Sequence, residues 1–129
     1  VNGYANGRSI ARVCSIMALQ GRVGWRRYLS KAIVAQATTE QVAGDDLYIG
    51  RVRWGLGLAL DTPEWPAPSA TTVHWGGLGG SWAAMDPAAG LSLGYAPNDF
   101  TLGMGAGVDP RIGRLNKALR EIIPSLALR

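Results

Sequence analysis

The stretch Val73-His74-Trp75-Gly76-Gly77-Leu78-Gly79-Gly80-Ser81 sets the only histidine of the chain beside a tryptophan and four glycines. Glycine loses the most backbone entropy on folding and offers no side chain to pack. Four so close together cost stability unless another group must approach the backbone. A histidine is a candidate general base, and a Ser–His–Asp triad through His74 is arithmetically possible. The G-x-S-x-G elbow that would expose a nucleophilic serine is missing, however. Other self-contained chemistry has less support. Asp45 and Asp46 are adjacent carboxylates that read as a solvated turn rather than an acid–base pair. No G-x-x-x-x-G-K-[ST] phosphate loop occurs. Residues 103–109, GMGAGVD, imitate a dinucleotide fingerprint without the strand–turn–helix setting it requires. One cysteine and one histidine are too few for a zinc site, and no metal-ligating cluster is visible. Cys14 falls in an apolar helical pattern and reads as a small core residue; alone, it excludes an internal disulfide.

The elements that must position this segment follow from periodicity. At 129 residues the chain reads as a single unit, 1–129, long enough to bury a core. With 47% hydrophobic and 17% charged residues it is a soluble globular sequence rather than a disordered one. No run of 18 apolar residues predicts a membrane span. The opening VNGYANGRSI lacks a basic n-region and an apolar h-region, which points to the cytoplasm. It also lacks methionine, so a mature or truncated start is expected. The net charge is +4, with a local cluster at Arg22, Arg26, Arg27 and Lys31. Aromatics are not interleaved with these cations as in a nucleic-acid platform, so they read as a solvated face and no nucleic-acid partner is expected.

Residues 8–20 predict a helix: Ile10, Val13 and Met17 recur at helical spacing with Cys14 and Ala18, Asn6 can cap it and Gly21 can stop it. Residues 30–41 predict a second helix, capped by Ser30, after a loop. Period two over residues 51–60 sets Val52, Trp54, Leu56, Leu58 and Leu60 on one face of a strand. Residues 61–69 hold three prolines and form a loop. Residues 71–78 and 80–85 read as extended, Asp86–Gly90 as a turn, and residues 91–96 as the strand that closes a hairpin on 80–85. After a glycine-rich loop at 103–107, Asp109-Pro110 opens a last helix with Ile112, Leu115, Leu119 and Ile122 as its stripe and Pro124 as its stop. The expected fold class is α+β: an antiparallel sheet with flanking helices and a C-terminal helix packed on the sheet.

Residues 75–99, WGGLGGSWAAMDPAAGLSLGYAPND, resemble the late hairpin of the serine β-lactamase superfamily, in its class C-like esterase and D-alanyl-D-alanine carboxypeptidase branch. There an active-site strand carries Lys-Thr-Gly, His-x-Gly or Trp-Gly-Gly, and Trp75-Gly76-Gly77 matches the last. The resemblance extends through residues 6–23, 29–41, 53–60 and 109–123, nearly the whole chain. It implies a partial β-lactamase/transpeptidase-like fold in which the strand backbone lies against the acyl group of the substrate. By the same resemblance the Leu78 backbone N–H faces the oxyanion, Trp75 walls the pocket and can offer its indole N–H, and side chains at Gly76 or Gly77 would obstruct the approach. If His74 instead occupied the Lys/His position, the glycine spacing would shift by one; Trp75 is the favoured register.

The sequence departs from the family at the nucleophile. No S-x-x-K occurs; Ser9-Ile10-Ala11-Arg12 is nearest and ends in an arginine, which does not readily act as a base. Tyr4-Ala5-Asn6 spells Y-x-N but lies only about seventy positions before the glycine motif, far closer than in the family, and reads as coincidence. No catalytic residue is therefore assigned. The expectation is the C-terminal fragment of a serine hydrolase, inactive alone, whose N-terminal S-x-x-K part is absent. The complete protein would hydrolyse an ester through an acyl-serine, without metal or organic cofactor. Trp75 in place of lysine removes the charge that would pair with a β-lactam or peptide carboxylate, which favours esters. The expected partners are the missing N-terminal part, or a second copy by self-association. Two rival readings remain: a non-catalytic binding module of the same fold, and a small hydrolase built on His74.

Overall fold

A computed structural model of the chain describes residues 3–100 and 109–126. The glycine-rich segment 103–107, and with it the GMGAGVD pattern up to residue 108, lies outside them.

Helix α1 (Gly7–Ala18) begins where Asn6 and Ser9 cap each other: the Asn6 side chain accepts the Ser9 N–H at 2.9 Å and the Ser9 hydroxyl accepts the Asn6 N–H at 3.0 Å. It ends as Gln20 and Gly21 turn left-handed (φ 55° and 82°), with the Gly21 N–H donating to the Ile16 carbonyl at 2.7 Å. The connection expected as a loop is a short hairpin of β1 (Arg22–Val23) and β2 (Arg26–Arg27), reversed at Gly24 with φ 60°. Arg22, Arg26, Arg27 and Lys31 are exposed, and Arg27 donates to the Gln20 and Leu29 carbonyls. Helix α2 (Lys31–Thr38) starts at the Ser30 cap and stops short of residue 41, because Thr39 is already extended.

A strand not anticipated from its polar sequence, β3 (Val42–Asp46), pairs with β4 (Gly50–Trp54) around a turn in which the Asp46 side chain accepts the Tyr48 and Ile49 N–H groups. The strand expected over 51–60 is interrupted. After Trp54 the chain turns at Gly55–Leu58, with Gly57 at φ 72° and the Gly55 N–H bonded to the Leu58 carbonyl. Gly55 lies so close to the Ala37 carbonyl that no side chain fits. Gly55 and Gly57 thus make a turn inside the expected strand, and Ala59 rejoins the sheet.

Strands β5 (Val73–Gly76), β6 (Trp82–Asp86) and β7 (Leu91–Tyr95) form an antiparallel sheet in the order β5-β6-β7. The β6–β7 turn is the one expected: the Asp86 carboxylate accepts the Ala88 and Ala89 N–H groups, both at 2.9 Å, and Gly90 takes φ 65°. Ala59 joins this sheet to β3–β4 by bridging Trp54 on one side and His74 on the other.

Helices cover both faces. Helix α3 (Pro110–Leu126) packs Ile112, Leu119 and Ile123 on Trp82 and Ala84, with Leu91, Leu93, Tyr95 and Leu115 around them. Its buried stripe runs through Asn116 to Ile123, and Ile122, expected inside, is 47% exposed. Pro124 does not end the helix. It sits in the last turn, where the lost N–H removes one bond and little helix remains to be disrupted. On the opposite face Cys14 and Met17 of α1 pack on Leu60, Val73 and Met85. Here two backbones meet: a β-carbon on Gly94 would lie 2.5 Å from the Ala11 nitrogen and 2.7 Å from the Ile10 β-carbon. The architecture is α+β with the C-terminal helix packed on the sheet.

Candidate functional site

Strand β5 carries the glycine motif, and its hydrogen bonding alternates. His74 exchanges both backbone bonds with Ala59, at 2.9 and 3.0 Å. Trp75 and Gly77 therefore face β6, and the Gly77 N–H donates to the Ser81 carbonyl at 2.8 Å. Gly76 shares the direction of His74, and Leu78 follows in the turn beyond the strand. Among the described residues the Leu78 N–H meets no acceptor. The Leu78 side chain is half exposed.

The two candidate residues for the motif's first position diverge. His74 is 1% exposed and faces α3 with Trp82 and Ala84. The Trp82 indole N–H donates to its Nδ1 at 3.4 Å, which leaves the proton on Nε2 to donate to the Trp65 carbonyl at 3.3 Å. Burial lowers the pKa of this imidazole; the Trp65 carbonyl and Asp61 act against that, more weakly. A neutral, fully engaged, inaccessible histidine has no nitrogen left for a substrate or a serine. Trp75 alternates to the other side, where its ring lies 4.6 Å from that of Trp54 and 5.6 Å from that of Trp65. Among the described residues its indole N–H meets no acceptor.

Trp75, Gly76 and Gly77 line a groove of about 390 Å³ with Ile10, Ser81, Trp82 and Ala83, without a charged side chain among the described residues. A second cavity of about 320 Å³, between α1, α2 and β5, contains Gln20, Thr38 and Thr71 but no titratable group.

Three of the four glycines have different reasons. At Gly77 a β-carbon would meet only the Ser81 hydroxyl, at 2.5 Å. At Gly79 it would press on the Phe100 ring at 2.8 Å. Gly80 is left-handed (φ 91°), and a β-carbon there would lie 2.5 Å from both Arg111 Nη2 and Asp109 Oδ2. Asp109 is fully buried and paired with Arg111 at 2.7 Å; hydrogen bonding from Arg111 holds its carboxyl below the usual range, against the effect of burial. This ion pair, and the rings of Trp54 and Trp65, escaped the sequence reading. The only signals were an Asp-x-Arg spacing before the last helix and a large apolar residue within a proline-rich loop.

The chain matches several solved structures. A family VIII carboxylesterase superposes with a TM-score of 0.79 and 36% identity over 90% of this chain and 31% of that one. A novel penicillin-binding protein homologue from Caulobacter crescentus gives 0.76 and 31% identity, over 87% and 30%. EstA from Arthrobacter nitroguajacolicus Rue61a gives 0.76 and 27% identity, over 95% and 33%. The chain belongs to the serine β-lactamase superfamily. It spans about a third of the length of the superfamily structures it matches. No family model and no curated protein matches it. No helix among the described residues is long and apolar enough to cross a membrane.

Proposed function

We propose that the chain supplies the substrate-side strand of a serine hydrolase that cleaves esters, the nucleophile coming from an N-terminal S-x-x-K portion of the same fold. The observation that carries this reading is the turn after β5, where the Leu78 N–H lacks an acceptor among the described residues. In the proposed reaction a serine Oγ bonds to the ester carbonyl carbon, and negative charge gathers on the carbonyl oxygen. The Leu78 N–H donates to that oxygen, which favours the transition state over the ground state. The C–O bond then breaks, the alcohol leaves with a proton, and water hydrolyses the acyl-serine. Trp75 bounds the acyl group in a groove without charged side chains. No cation there rewards a substrate carboxylate, so neutral esters are the preferred class. The likeness to a family VIII carboxylesterase and to EstA supports the same direction.

The test is to express the chain together with the coding sequence immediately upstream. An S-x-x-K there, with hydrolysis of p-nitrophenyl butyrate well above that of a chromogenic cephalosporin, is the expected result. Ligand binding without turnover, and without labelling by a fluorophosphonate, would overturn it in favour of a non-catalytic binding module.

A further inference from the structure

The turn that carries Leu78 is closed by two bonds, Gly77 N–H to the Ser81 carbonyl at 2.8 Å and Gly80 N–H to the Gly77 carbonyl at 3.0 Å. Neither holds the turn to the body of the protein. Among the described residues, the contacts that attach it converge on one side chain. Arg111 Nε and Nη2 donate to the buried Asp109 carboxylate, at 3.0 and 2.7 Å, and Nη1 donates to the Asp99 carbonyl at 3.1 Å. Gly80 rests directly on the Arg111–Asp109 pair, too close for any side chain. Phe100, the residue after Asp99, lays its ring on Gly79. Both glycines that follow Leu78 are thus braced from a single guanidinium, one by contact and one through the 99–100 segment.

We infer that Arg111, fixed by Asp109, is a positioning residue that sets the direction of the Leu78 N–H by bracing Gly79 and Gly80 from below. Its catalytic meaning rests on the oxyanion reading of Leu78; the bracing itself does not. Guanidinium geometry matters here, because two nitrogens grip the carboxylate while the third reaches a carbonyl on another segment. Lysine can supply one of these contacts, not all three.

The test is amide hydrogen exchange on this chain, read at Gly80, whose N–H closes the turn. Arg111→Ala is expected to speed Gly80 exchange by about tenfold or more relative to Ala84 of β6, and to shift the Leu78 and Gly79 amide resonances. Arg111→Lys should fall between. Arg120→Ala is the control: it sits on the same helix and its Nη2 donates to the Ala67 carbonyl at 2.8 Å, so it loosens a different loop. If Gly80 exchange rises only in step with Ala84, or equally in the Arg120 variant, the bracing role is overturned, whatever happens to activity. In the longer, active protein, Arg111→Ala should lower kcat with KM little changed. Faster Gly80 exchange with kcat intact would uphold the bracing and overturn the oxyanion role of Leu78.

Discussion

Protonating His74 at Nδ1 would set an imidazole N–H against the Trp82 indole N–H, in a place water does not reach. Both effects disfavour the cation, so the folded state holds the pKa below the ordinary 6.5. The unfolded chain then binds more protons than the folded one as pH falls through that value. The stability due to neutral His74 is complete above about pH 6.5 and is lost progressively below it. Urea midpoints should drop between pH 7.5 and 5.5, and His74→Gln should flatten that drop; an unchanged slope would show that another group is responsible. Asp86 and Asp109, both shifted downward, titrate at lower pH than this window. At Gly77 and Leu78 the expectation concerns rate. In the active protein Gly77→Val crowds the acyl group and can rotate the next N–H. Losing one such donor costs about 3 kcal/mol, roughly a hundredfold in kcat. Leu78→Ala keeps the backbone donor and should change little. The reverse ranking would mean that the strand is used in another register.

Between elements, the α1–β7 contact is sensitive to one added carbon. The neighbours of a Gly94 β-carbon are the Gly7 carbonyl, the Ala11 nitrogen and the Ile10 β-carbon, held by the helix and unable to rotate away. Gly94→Ala should therefore destabilise by about 1–3 kcal/mol, as overpacking does. Gly44→Ala, in β3 with nothing within 4 Å, should stay within about 0.5 kcal/mol, as surface substitutions do. Equilibrium unfolding of the pair separates close packing from the general effect of replacing a strand glycine. Elements with local chemical punctuation were legible in the sequence: Asn6 and Ser30 cap their helices, and Asp86–Gly90 makes its turn. Elements defined by distant partners were not. Val42–Asp46 is too polar to announce a strand, and its alignment comes from β4. The alternation through residues 51–60 concealed a turn that Gly55 makes against α2. On α3, Asn116 lies in the buried stripe because its amide donates to the Pro66 carbonyl, so apolarity alone favoured Ile122 over the true face. The candidate site divides in the same way. Glycine spacing and family likeness drew attention to Trp75–Leu78, whereas Arg111, Trp54 and Trp65 reach the site from far along the chain.

For the molecule as a whole, the exposed apolar side chains gather on particular elements. Trp25 at the tip of the first hairpin is 88% exposed, and Leu47 and Tyr48 at the tip of the second are each 93% exposed. Val42 on β3 is 59% exposed, on a strand paired along one edge only among the described residues. Apolar tips and an unpaired edge favour association. The chain in isolation is therefore expected to sediment as concentration-dependent species and to bind a hydrophobic dye. A dye-silent monomer at every concentration would argue for a self-sufficient module. The role of Ala59 has a further consequence. Two hydrogen bonds at one residue stitch the outer hairpin to the central sheet, and among the described residues the Trp54–Trp75 ring contact reinforces that seam from strand to strand. The protein should therefore come apart in two steps of unequal free energy, β3–β4 peeling away while β5–β7 stays clamped between its helices. Trp75, which lines the groove, would then lose the Trp54 ring packed on it without the molecule unfolding, so the groove's width is a population rather than a fixed dimension.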